Sequence, residues 1–146
     1  MMMKILYFFE TLWYLLWGMP RDGMLLLVLP LHVAIAGEIA IVALMALSPE
    51  NRERLLLSAI LLPLHALMYP LLLTFAGETT AILFIEIYCV SALILAVGLI
   101  VYLICLCRWK RMNRYLWTAA AVWVLYFVAS VGSPILFLLL LCEAMS

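Results

Sequence analysis

The run MLLLVLPLHVAIAGEIAIVALMAL, Met24–Leu47, decides the fold. It carries His32 and Glu38 but no other ionisable side chain. Its apolar residues do not alternate with polar ones, so it is not a half-buried strand. It is long enough to cross a bilayer core of about 30 Å as a helix. Comparable runs predict further spans at about 55–75, 80–106 and 115–141. The chain has 146 residues, 71% hydrophobic and only 11% charged. A soluble domain is about half apolar and about a quarter charged. A chain this small cannot hide so much apolar surface from water. Lipid is therefore its solvent, and in lipid the backbone must satisfy its own hydrogen bonds. The expected fold is all-α: an integral membrane, up-down four-helix transmembrane bundle over residues 20–146.

Residues 1–19 precede the bundle. Lys4 followed by an apolar stretch resembles a signal peptide, but Glu10 interrupts the stretch and no small-x-small cleavage site follows. Lys4, Tyr7, Glu10, Thr11 and Tyr14 form a polar face, opposite Ile5, Phe8, Phe9, Leu12, Leu15 and Leu16. About 16 helical residues reach only about 24 Å, short of a full span. The expectation is an amphipathic helix lying on the membrane. A short fifth helix entering the membrane is the alternative.

The connections are short. Pro20-Arg21-Asp22-Gly23 reads as a turn. Ser48 is placed to cap a helix starting near Pro49, and Thr79 to cap the third span. The two loops at 48–54 and 107–114 carry six of the eight Lys and Arg, which puts both in the cytoplasm. The expected location is a prokaryotic inner membrane. The basic stretch Arg108–Arg114, with Trp109 and Tyr115, reads as an interfacial anchor for anionic lipid. Ala36 with Ala40, Ala92 with Ala96, and Ala129 with Ser133 mark close helix contacts. Pro30, Pro63, Pro70 and Pro134 each remove a backbone donor and free a carbonyl one turn back.

The chain's two histidines share a context, Leu29-Pro30-Leu31-His32 and Leu62-Pro63-Leu64-His65. Each is followed by Ala-Gly-Glu, at Ala36-Gly37-Glu38 and Ala76-Gly77-Glu78, but the offsets are 33 and 40 residues, so the copies are out of register. At 1.5 Å per residue His32 lies about 12 Å and His65 about 15 Å from the outer surface. Glu86 falls at about 9 Å on the same scale, and Glu38 near mid-membrane. Ionisable groups at such depths are rare and suggest function.

Four readings follow. A b-type haem between His32 and His65 would make the chain an electron-transfer subunit, with Arg21 near the propionates. A non-haem metal would take His32, His65 and Glu86, with Cys89 one turn after Glu86. Proton or cation movement would use Glu38 and Glu86, making the chain a transporter or channel component. In the fourth reading the histidines only hydrogen-bond between helices, in a structural or assembly subunit without cofactor. Cys89, Cys105, Cys107 and Cys142 form no C-x-x-C and read as reduced packing residues. A net charge of zero gives no case for nucleic acid. No phosphate-binding glycine loop, nucleophile–base pair or zinc-protease helix occurs, so an enzyme acting alone is not expected. The expected partners are the bilayer and other membrane subunits.

Overall fold

A computed structural model describes residues 2–75 and 81–145. Among them every regular element is helical. Helix α1 (Met2–Trp13) continues through a π-helical turn (Tyr14–Gly18) into the short α2 (Met19–Arg21). Four long helices follow: α3 (Leu25–Leu47), α4 (Arg52–Phe75), α5 (Ala81–Arg108) and α6 (Arg114–Met145). Each contains a stretch apolar and long enough to cross a membrane. The chain is a helical integral membrane protein. Ala76–Thr80, including the second Ala-Gly-Glu and the cap expected at Thr79, lie outside the described residues.

Helix α3 is central, packed most closely against α6 and α4. One reason is Gly37. A Cβ there would sit 2.8 Å from Val122 Cγ1 on α6 and 3.2 Å from Leu62 Cδ2 on α4. A glycine lets the three backbones approach as small residues do in lipid. The expected contact pair Ala36 and Ala40 is one position off: both line an open groove between α3 and α6. Ala129 and Ser133 line the α6 side of the same groove but are buried, as is Ala92 on α5.

Helix α5 is the outlier. In its span only 11% of residues are buried, against 33–44% in the others. A cavity of about 490 Å³ separates its middle, around Leu95 and Leu99, from Leu61 on α4 and Trp123 on α6. Contacts above and below the cavity hold the helix: Tyr88 and Ser91 near one end, and Leu106 against Leu55 and Leu116 near the other.

Pro30 lies inside α3 without breaking it. Its ring removes the N–H that would bond to Leu26 O, one turn back. The buried Ser133 hydroxyl on α6 donates to that carbonyl instead. The lost helical bond is thereby replaced by one between helices.

The N-terminal segment is longer than expected. Pro20 and Arg21 are helical, so the turn is confined to Asp22 and Gly23, where Gly23 takes φ +79°. From Met2 to Arg21 the helix reaches about 30 Å. It does not lie across the ends of the spans. Leu15 is 1% exposed and belongs to the main core with Val28, Leu31 and Ala34 of α3. Leu12 and Leu16 meet α3 and α4 as deep as Glu38 and Pro63. α1 therefore folds back along α4, while the π-helical turn and α2 meet α3.

At the opposite end the 48–54 and 107–114 loops are tied through Asn51. Its amide donates to Ser48 Oγ at 2.6 Å, and its Oδ1 accepts from Asn113 Nδ2 at 2.9 Å and Arg54 Nη1 at 3.1 Å. Ser48 is thus engaged by a side chain and makes no side-chain cap. A 3-10 turn (Pro49–Asn51) leads into α4 at Arg52, so the helical chain begins at Pro49 as expected, with its first turn 3-10. The cap that sequence reading missed is Asn113, whose Oδ1 accepts from the N–H groups of Tyr115 and Leu116 at 3.1 Å each.

Candidate functional site

The two histidines serve different interfaces. The His32 ring places Nδ1 3.0 Å from Val28 O and Nε2 3.2 Å from Leu16 O. The second contact joins α3 to the π-helical turn and fixes the N-terminal helix against the bundle. Both partners are carbonyl oxygens, so the ring meets only acceptors.

His65 lies in the core, 5% exposed. Nδ1 is 2.6 Å from the Tyr126 hydroxyl on α6, and Nε2 is 2.9 Å from Ser91 Oγ on α5. The ring stacks on Tyr88 with centroids 4.8 Å apart and planes 27° apart. The Tyr88 hydroxyl lies 3.0 Å from that of Tyr126 and 3.4 Å from Ser130 Oγ.

The hydrogens in this network can be placed by elimination. Ser91 Oγ donates to Tyr88 O at 2.8 Å, so its hydrogen is used. His65 Nε2–H must then donate to Ser91 Oγ, which leaves Nδ1 as acceptor. Tyr126 donates to Nδ1, and Tyr88 donates to the Tyr126 oxygen. The direction runs from Tyr88 to Tyr126, His65, Ser91 and back to the Tyr88 carbonyl. The network begins at the Tyr88 hydroxyl and ends at the Tyr88 carbonyl. It ties α4, α5 and α6 in one rotational setting, because each donor has one acceptor.

This geometry bears on the metal and haem readings. An axial ligand must offer iron a nitrogen lone pair. The His65 acceptor nitrogen is occupied by Tyr126, and each His32 nitrogen faces a carbonyl. The two rings share no hydrogen-bond partner. Among the described residues no three His, Cys, Asp or Glu side chains gather to hold a metal, so the set His32, His65 and Glu86 is not assembled.

The carboxylates also separate. Glu86 is exposed. It lies 22 residues before Arg108, about 33 Å along a helix. A core of about 30 Å fits between them, so Glu86 belongs at the membrane edge and not at mid-depth. Glu38 is different. It lies about 20 Å from the Leu25 end of α3 and about 14 Å from the Leu47 end. Its Oε2 is buried and has no hydrogen-bond partner. The half-buried side chain lines a cavity of about 320 Å³ whose other lining is apolar, from Leu12 and Leu16, Ala34 and Ile35, and Pro63 and Ala66.

Sequence reading singled out His32, His65, Glu38 and Glu86 by depth. It missed Tyr126, Tyr88, Ser91 and Ser130. A tyrosine or serine in an apolar helix is ordinary alone; the usable signal was two spans, α5 and α6, each carrying a tyrosine and a serine within one turn. No protein-family model, curated protein or solved structure matches this chain.

Proposed function

We propose that this chain is a small integral-membrane subunit working inside a larger membrane assembly, with α1 turned toward its partner. The observation that carries the reading is the outward face of the N-terminal helix. Leu12, Leu15 and Leu16 pack inward, while Tyr7, Glu10 and Tyr14 recur at helical spacing on the exposed side. Because α1 packs along α4, Tyr7 and Glu10 would meet hydrocarbon in an isolated copy, whereas the Tyr14 hydroxyl donates to Asp22. A charged carboxylate at such depth costs at least a few kcal/mol. A neighbouring transmembrane helix with a polar group removes that cost.

The test is to isolate the tagged full-length chain from its own membrane in mild detergent and measure the mass of the particle. An assembly larger than the 16.6 kDa chain, lost when Tyr7 and Glu10 are replaced by Leu, supports the reading. A monodisperse monomer, unchanged by those substitutions, overturns it.

The positive loops at 48–54 and 107–114 support a cytoplasmic side for both, in a membrane of the prokaryotic inner type. A second reading, transport of protons or cations, is favoured by one observation, the unpartnered oxygen of Glu38 at mid-span. Its signature is a flux that Glu38→Gln abolishes. A haem between His32 and His65 has less support, since both rings would have to abandon their present partners. Oxidised and dithionite-reduced absorption spectra test it directly: sharp reduced bands of a six-coordinate b-type haem would restore the electron-transfer reading.

A further inference from the structure

We propose that the gap between α4 and α5 is the site of one anionic phospholipid, with an acyl chain in the cavity beside Leu61 and Leu95 and its phosphate at Arg54. The cavity, of about 490 Å³, is walled mainly by carbon. Its polar lining includes His65 and Ser91, which already bond to each other. Leu57 and Leu64 on α4 and Ile94 on α5 line it and are exposed. The cavity therefore opens sideways into hydrocarbon, and an acyl chain is what enters from there.

Length and register fix which leaflet supplies that chain. The cavity runs from Leu57 to Met68 on α4 and from Ser91 to Tyr102 on α5. Eleven residues on either helix cover about 16 Å. One leaflet of a hydrocarbon core near 30 Å is about 15 Å deep. The cavity matches a single leaflet, the one adjoining the 48–54 and 107–114 loops.

The polar end lies at that surface. Ser58 and Tyr102 line the cavity and also a narrow space above it, which Arg54 lines as well. Arg54 and Ser58 are four residues apart and share a helix face. Arg54 is half-exposed, so a ligand can reach it. Its Nη1 donates to Asn51 Oδ1 at 3.1 Å and to Arg111 O at 3.4 Å. Those bonds steady the planar fork and leave the N–H donors of Nε and Nη2 for a ligand. A phosphate takes two parallel bonds from such a fork. The two loops beside it carry six basic side chains against Glu50 and Glu53, so the local field favours an anion. Basic pockets of this kind between membrane helices bind anionic head groups.

The test is native mass spectrometry of the full-length chain, purified in mild detergent and stripped of lipid. The probes are phosphatidylglycerol and phosphatidylcholine with identical oleoyl chains. The expected result is one saturable phosphatidylglycerol adduct, at least about fivefold tighter than phosphatidylcholine, the factor one basic side chain contributes near a membrane surface. Arg54→Gln should bring phosphatidylglycerol down to phosphatidylcholine. Arg114→Gln, whose side chain bonds Tyr115 instead, should keep the preference. Leu95→Trp, which enlarges a half-buried side chain of the cavity wall, should weaken both lipids. Equal affinity for the two lipids overturns the proposal, as does a preference that survives Arg54→Gln or is lost equally in both arginine variants. Binding unmoved by Leu95→Trp overturns it too. Displacement by free glycerol phosphate would show a site for soluble anions and sink the lipid reading. Absence of an adduct on protein of intact helical content also overturns it and leaves the gap to a partner's side chains. If Leu95→Trp does not fold, Gly98→Leu takes its place, at a lining position where nothing lies within 4 Å of an added Cβ.

Discussion

The Ser133 hydroxyl donates to the carbonyl of Leu26, the one orphaned by Pro30. The proline in α3 and the serine in α6 therefore form a functional pair 103 residues apart in sequence. The pairing predicts a non-additive double-mutant cycle. Ser133→Ala should cost about 1 kcal/mol, because a buried carbonyl loses its donor. In a Pro30→Ala background the restored N–H can bond Leu26 O within the helix, and Ser133→Ala should then cost close to nothing. Unfolding from a common detergent measures all four proteins. Additive losses would refute the pairing.

The direction of the hydrogen bonds around His65 predicts an order among phenylalanine substitutions. Tyr126→Phe removes the donor to Nδ1 and the acceptor for Tyr88, so it disturbs two links. Tyr88→Phe removes one 3.0 Å bond and the long 3.4 Å contact with Ser130 Oγ, and keeps the ring stacked on His65. Single interhelical bonds in membranes average about 0.6 kcal/mol. Tyr126→Phe should therefore lose about 1–2 kcal/mol and Tyr88→Phe about half as much. Thermal unfolding in one detergent gives both values, and the reverse order would contradict the assigned directions.

Two glycines should respond in opposite senses to alanine. At Gly37 the new Cβ would press on Val122 and Leu62, forcing α3 away from its neighbours. Overpacking of this kind costs about 1–3 kcal/mol. At Gly98 on α5 nothing lies within 4 Å of the added carbon. There the gain in helix propensity, up to about 1 kcal/mol, is unopposed. Gly37→Ala should lower the unfolding temperature and Gly98→Ala should hold or raise it.

These sites show why some features were legible in the chain and others were not. Spans α3 to α6 follow from composition alone, because lipid admits few alternatives to a continuous apolar helix. Depth followed as well, since rise per residue is fixed, and Glu38 lies midway along α3 as expected. Rotation about each helix axis did not follow. One residue is about 100° of rotation, which is why Ala36 was expected where Gly37 makes the contact. The same uncertainty hid Tyr126 from His65, 61 residues away. The end of the N-terminal helix did not follow either: Pro20 and Arg21 suggest a turn, yet they are helical and continue from the π-helical turn.

Asn51 and Asn113 join the two basic loops, and this junction yields a prediction about both stability and topology. Asn113 caps α6 through Oδ1 while its amide reaches Asn51. Asn113→Ala loses the cap and the tie together, whereas Asn113→Asp keeps the cap and loses only the amide donor. Cap loss alone costs about 1 kcal/mol, so the aspartate variant should recover most of what alanine loses. Both loops must also share one side of the membrane, because a side-chain bond joins them. Cys107, exposed at the end of α5, is a natural reporter of that side. In a variant keeping only this cysteine, an impermeant maleimide should react in inverted vesicles and not in intact cells. Asn113→Ala should leave that labelling pattern unchanged, because the six basic residues set orientation during insertion, before the two loops can meet.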